Sequence, residues 1–504
     1  MSLTFVVALQ IALSGVTAPP EPPAPPLDRP GSALYEPEVE PLAPDPPDVS
    51  EPEEPPPPVY GDVRVPEPRS PQEIVFCDRA SVCAAGQACV GGSCLSLRDP
   101  SVRMLFPIAI DRVVDRATGR RTGVVPDRVD ILLRRFLELS GFFWVMSPGS
   151  NPSKAALEGI AETAIDHEAW FFAGAYAVIK GELTTTSEGL TLTLRLVLVE
   201  EARLVKLPYE KQILPDTSPN TLKLAVTRYV DALVTHFSGK GGVFSTRVAF
   251  AKRWKKGGAK EIGVMDMDGE NEEPLTNNGS INLLPTWNGR GKVAWTSFKD
   301  NNPDFYVAGE KFSSHPRMNT GGAWSPDRKL VAITLSKDGQ AEIYLLDAET
   351  GHPVRNVTRH KAIDTSPTWS PDGKRLAFVT DRWSGYPLLG LANLDADTVE
   401  MLPQIGGYNS SPDWSPTGDE IAYSAMVGAE KYQIFAINVA TRTVRKLTHT
   451  GSNEEPSYSP DGRYIVYVSE RNKRKGLWMM TADGKNQRPI SREDADYFTP
   501  AWER

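Results

Sequence analysis

The residues that could do covalent or acid–base chemistry occur in this sequence without the spacing that such chemistry needs. A serine on a nucleophile elbow requires G-x-S-x-G, and the pattern is absent. A metalloprotease helix requires H-E-x-x-H, and His167-Glu168 is an isolated pair that reads as structural. The stretch Gly239-Lys240-Gly241-Gly242 lacks the phosphate-loop spacing and reads as a hinge. Asp266-Met267-Asp268-Gly269-Glu270-Asn271 echoes a calcium loop, but the remaining ligands are missing and a strand-to-strand hairpin is expected there. The six histidines are scattered. No catalytic, cofactor-binding or metal-ligating set emerges, and a non-enzymatic protein is expected.

The cysteines offer redox chemistry instead. Cys77, Cys83, Cys89 and Cys94 fall within eighteen residues as C-x5-C-x5-C-x4-C. An even, clustered set behind an export signal predicts two disulfides in a small module over 72–100, with three pairings open. No C-x2-C pair and no nearby histidine favours zinc. The segment resembles the short C-x2-G-x2-C-x2-G-x-C modules of secreted bacterial proteins.

One constellation remains, and only a fold could collect it. Asp364, Thr365 and Ser366, then Asn409 and Ser410, then Asn453, Glu454 and Glu455, then Asp496 and Tyr497, each precede an aromatic anchor. Asp381-Arg382 and Glu470-Arg471 follow a later strand of their units. Singly they are turn formers. Gathered at one mouth, in loops, they would make a polar site for a peptide or protein partner, with a mixed charge suited to hydrogen bonding.

What would gather them is a repeat. The phrase W-S-P-D-G is complete at 369–373, with variants starting at Trp324, Trp414 and Tyr458, a degenerate copy at Trp287 and a truncated one ending at Trp502. The anchors are 37, 45, 45, 44 and 44 residues apart. That period, with four short strands in each unit, is the signature of a β-propeller blade. The array over 243–504 begins at Arg247 with a second strand and finishes at Trp502 with a first strand. Joining the two closes a ring of six blades and leaves no open edge.

Upstream, residues 101–240 read as a small α/β domain. A strand is expected over 102–110. A helix opened by Pro126 carries Val129, Leu132, Leu133, Phe136 and Leu137 on one stripe. Further expectations are a strand at 142–146, a second helix at 154–168, a hairpin of 172–183 with 191–199, and a strand within 205–214. A last helix, with Leu222, Val226, Val230 and Leu233 on its apolar face, stops at Gly239. Residues 1–18 read as a signal peptide, which implies export to the periplasm. Residues 19–71 hold 20 of the 44 prolines, with 12 acidic and 3 basic side chains, and read as a disordered, like-charged linker. This segment accounts for the whole formal charge of −9, so the rest of the chain is near neutral and carries no basic stripe for nucleic acid.

Taken together, the α/β domain running into Phe244-Ser245-Thr246-Arg247, the P-x-W-S-P-D-G repeats and the closing Phe498-Thr499-Pro500-Ala501-Trp502 resemble the TolB family of the Tol–Pal envelope system. The resemblance covers about 101–504. It implies an exported, monomeric, non-enzymatic scaffold that binds a Pal-like peptidoglycan-associated lipoprotein through the propeller. It also implies contact with a TolA-like inner-membrane protein and a role in outer-membrane integrity and division. The sequence departs from the family at its N-terminus, where the proline tail and cysteine module replace the short peptide that signals to TolA. A propeller binding another envelope protein or a glycan is the alternative reading, ahead of a propeller-gated hydrolase.

Overall fold

The computed structural model describes residues 87–90, 93–96 and 106–504, apart from 141, 256, 429 and 430. The expected signal peptide and linker, together with Cys77 and Cys83, lie outside the described residues. Within the cysteine-rich segment, strands Gln87–Val90 and Ser93–Ser96 pair antiparallel with Cys89 opposite Cys94.

The α/β domain is one mixed sheet with helices on it. Its main path runs Phe143–Val145, Phe106–Ile110, Ala177–Thr186, Gly189–Leu198, Arg203–Val205. The first three strands are parallel and the long central hairpin is antiparallel. Helices α1 (Val124–Ser140) and α3 (Pro219–Ser238) bury their apolar stripes against it. Gly239 ends α3 in the left-handed region, at φ 70°, where glycine carries no Cβ penalty.

The helix expected over 154–168 does not form. Ala155–Leu157 and Glu162–Ala164 are single 3-10 turns, and only α2 (His167–Phe172) is α-helical. Two forces oppose the longer helix. Gly159 sits in its middle, at a cost of about 1 kcal/mol relative to alanine. Glu158 is also drawn inward, where it accepts bonds from buried Lys180 and from the Trp170 indole at 2.9 Å. Asp166 then caps α2 by accepting the Ala169 N–H at 3.0 Å.

The propeller has six four-stranded antiparallel sheets. Blade one takes its inner strand, Asp496–Trp502, from the far end of the sequence and pairs it with Arg247–Arg253. The other inner strands are Asn282–Trp287, Asn319–Trp324, Asp364–Trp369, Asn409–Trp414 and Ser452–Tyr458. The anchors bind blade to blade. The Trp287 indole donates to the Ala501 carbonyl at 3.0 Å and the Trp369 indole to Ala323 at 2.9 Å. Backbone N–H groups of Trp414, Tyr458 and Trp502 donate to Thr368, Asp413 and Ser457 of the preceding blade.

The remainder of the repeated phrase makes a turn. In blade four the Arg375 N–H donates to Ser370 Oγ at 2.9 Å, and the Lys374 N–H to Asp372 Oδ1 at 3.0 Å. Gly373, Gly418 and Gly462 take positive φ there, and Arg328 occupies the same place at φ 60°. A non-glycine residue in this region is strained by about 1–2 kcal/mol. Arg328→Gly is therefore expected to raise stability by up to about 1 kcal/mol, net of the chain entropy that glycine loses, as read from the urea midpoint.

Candidate binding surface

Every inner strand carries the same irregularity. Its pairing with the second strand shifts register in mid-strand. The residue three before each anchor takes positive φ: Leu284, Gly321, Ser366, Ser411, Glu455 and Thr499. A bulge of this kind re-aims a side chain, and these six residues line the central cavity of about 410 Å³. The cavity runs from this ring toward the W-S-P-D-G turns, past Pro326, Pro371 and Pro416. Glu455 accepts the Thr499 N–H. Its burial, and then the neighbouring Glu454, push its carboxyl above the ordinary carboxylate range.

Of the residues expected in loops at the opposite end, Asp381 and Arg382 lie in one, and the others lie in strands. Asp364, Thr365, Asn409, Ser410, Asn453, Glu454, Glu455 and Tyr497 are buried. Their side chains hold the connections between blades. Asn282, Asn319, Asn409 and Asn453 donate to the carbonyls of Lys260, His315, Gly406 and Thr450. Asp364 does so through Arg382, which pairs with it at 2.8 Å and donates to the Thr358 carbonyl at 2.8 Å. Burying a polar group without such partners would be costly, so position five before the anchor is occupied for structure. Ser366, Asp381, Arg382, Glu470, Arg471 and Asp496 retain exposure. Burial opposes ionisation of Asp496, but its hydrogen bond from Arg253 holds its carboxyl below the usual range. Lys260, 3.9 Å above the Phe498 ring, is pushed down to about 8 by burial.

The two ends of the ring differ in charge and in cover. Loops joining second to third strands and fourth to first strands gather at one end. Among the described residues there, ten exposed or half-buried Lys and Arg residues face five Asp and Glu. At the turn end the corresponding numbers are eight and ten. The loop end is therefore basic, which the sequence reading missed. No local run of basic residues marks it, because each loop contributes only one or two. It also presents Trp254, Trp383 and Tyr386, exposed by 53, 42 and 64%.

The α/β domain covers the turn end at blades one and six. Tyr464 donates to the Leu139 and Ser140 carbonyls at 2.8 and 3.0 Å. Asp231 of α3 accepts the Phe244 and Ser245 N–H groups at 2.8 and 2.9 Å. One apolar cluster runs through both domains, from Phe136 and Val230 to Met265, Tyr464 and Trp502. The calcium-like stretch is a hairpin between Glu261–Asp266 and Glu273–Pro274, and its centre is already filled. Lys223 Nζ of α3 lies 2.8, 2.7 and 3.0 Å from carboxylate oxygens of Asp266, Asp268 and Glu270. Arg135 of α1 adds contacts to Asp268 and Glu270 at 3.1 and 2.7 Å.

The model of the TolB beta propeller domain family matches residues 234–504. The Tol-Pal system protein TolB of Desulfosudis oleivorans is 33% identical over 235 residues, which are 45% of this chain and 52% of that protein. Its counterpart in Anaeromyxobacter sp. strain K is 32% identical over 238 residues, again 45% and 52%. The chain thus spans about half the length of the curated relatives it matches. The crystal structure of TolB from Acinetobacter baumannii aligns with a TM-score of 0.65 at 26% identity, over 79% of this chain and 96% of that one.

Proposed function

Because the chain belongs to the TolB β-propeller family, we propose that it is a non-enzymatic periplasmic scaffold of the Tol–Pal type. It binds a Pal-like peptidoglycan-associated lipoprotein at the loop end of its propeller and supports outer-membrane integrity and division. The observation that carries this reading is the asymmetry of the ring: one end carries the α/β domain at blades one and six, and the other, among the described residues, is free of it, basic and aromatic. Ser366, Asp381, Arg382, Glu470, Arg471 and Asp496 are the contact residues kept from the sequence reading. The buried asparagines and Asp364 act by holding the loops. A TolA-like inner-membrane protein is the second partner the family implies.

Capture from envelope extracts with the full chain as bait, read by mass spectrometry, tests the assignment. A Pal-like lipoprotein is the expected product, and its absence from the captured set would overturn the reading. Arg359→Glu with Lys361→Glu on the loop end is expected to weaken the captured complex about tenfold, mainly through slower association. Lys374→Glu on the turn end leaves it unchanged.

A further inference from the structure

We propose that the acidic, proline-rich segment 19–71 docks on the loop end of this chain's own propeller and competes there with the partner proposed above. Competition rests on that reading; docking does not. The first ground is charge. The segment holds 12 acidic and 3 basic side chains, while the loop end has an excess of five cations and the turn end an excess of two anions. The cations come from every blade, including Lys255, Arg317, Arg359, Lys431 and Lys473. A chain that lies across the face therefore meets one after another. At physiological ionic strength the screening length is about 8 Å, so the attraction acts at contact and favours a segment that stays close.

The second ground is the aromatic surface. Proline-rich segments dock on exposed aromatic rings at low conformational cost, because proline already restricts the free chain. The segment has 20 prolines, and the loop end presents Trp254, Trp383 and Tyr386.

Reach is the third. Residues 72–105 separate the segment from the first strand of the α/β domain, at Phe106. With the cysteine module 77–96 counted as zero length, this connection still spans up to about 46 Å when extended. A seven-residue blade strand is only about 23 Å long. The turn end is the less favourable face, since it carries an excess of anions and the α/β domain sits on it at blades one and six.

Zero-length carbodiimide coupling in the purified full chain tests this without any partner. Carboxylates of Glu36, Glu38, Glu40, Glu51, Glu53 and Glu54 are expected to link to Lys255, Lys361, Lys431 and Lys473. Lys292, Lys329, Lys374 and Lys485 at the turn end should stay unlinked. The links should disappear in about 1 M salt, where the screening length falls to about 3 Å. Equal linkage at both ends, or no linkage to the propeller, would overturn the proposal. Changing those six glutamates to glutamine is expected to raise acrylamide quenching of the exposed tryptophans; unchanged quenching counts against docking. Failure to capture a Pal-like lipoprotein would leave these outcomes untouched, and the reverse also holds.

Discussion

Trp502→Ala is expected to lower stability by about 3–5 kcal/mol, the cost of emptying a large core site. Trp502 is 3% exposed and pairs with Val248 across the ring closure. Its backbone N–H reaches Ser457 in blade six at 3.1 Å, and its indole N–H reaches Thr246 at 2.8 Å. Its ring stacks 6.3 Å from Tyr464, which itself bonds the end of α1. The loss should appear in urea as a lower midpoint sensed by both domains together, since one apolar cluster runs through them. Trp502→Phe keeps most of the apolar area and loses the indole bond, so a cost nearer about 1 kcal/mol is expected. Deleting 496–504 removes the inner strand of blade one and exposes the edge of Arg247–Arg253. That variant should aggregate rather than refold.

Lys223→Met is expected to cost about 3 kcal/mol, because it takes one of two cations from buried Asp268 and leaves that carboxylate to the half-exposed Arg135. Asp268 is the most exacting partner, with its side chain only 1% exposed. The damage should localise to the junction between domains. Proteolysis at 239–242 should accelerate, and melting should split into two transitions. Combining Lys223→Met with Asp268→Asn removes the stranded charge and should recover part of the loss. Burial disfavours the charged form of Lys223, yet Asp268 and Asp266 raise its pKa above the ordinary lysine value. Glu270 shows the reciprocal effect. Its burial is outweighed by the bonds from Arg135 and Lys223, which bring its carboxyl down to about 2 from 4.5. A depressed carboxyl stabilises the folded form fully above its unfolded pKa and loses that contribution as pH falls through the folded one. Docking should therefore weaken between about pH 4.5 and pH 2. In Glu270→Gln that part of the acid sensitivity should vanish.

The repeats and the closure of the ring were legible because the anchors are aromatic and evenly spaced, and because a four-stranded blade is determined by local chain. The apolar stripes of α1 and α3 were legible for the same reason. The stretch 154–168 was not, since the pull of Lys180 on Glu158 comes from a strand residue 22 positions away. Nor was the burial of Asp364, Asn409 and Asn453. Polar residues before a strand read as loop, and only the fold reveals that their amides and carboxylates hold the chain between blades. The hairpin at Asp266 to Glu270 was read correctly, but the lysine that fills it lies 43 residues upstream and gave no local sign.

The ring of bulges separates two jobs that usually compete. Leu284, Gly321, Ser366, Ser411, Glu455 and Thr499 share a backbone conformation and little else. They line the cavity, while the anchors three residues on carry the packing between blades. A change of chemistry at Leu284, Gly321, Ser366 or Ser411 would reline the pore without disturbing the walls, provided the new residue tolerates positive φ, whereas Glu455 also holds the Thr499 N–H of the next inner strand. Relatives built on this scaffold could diverge in what their channels accept, one position at a time, while their blades remain interchangeable.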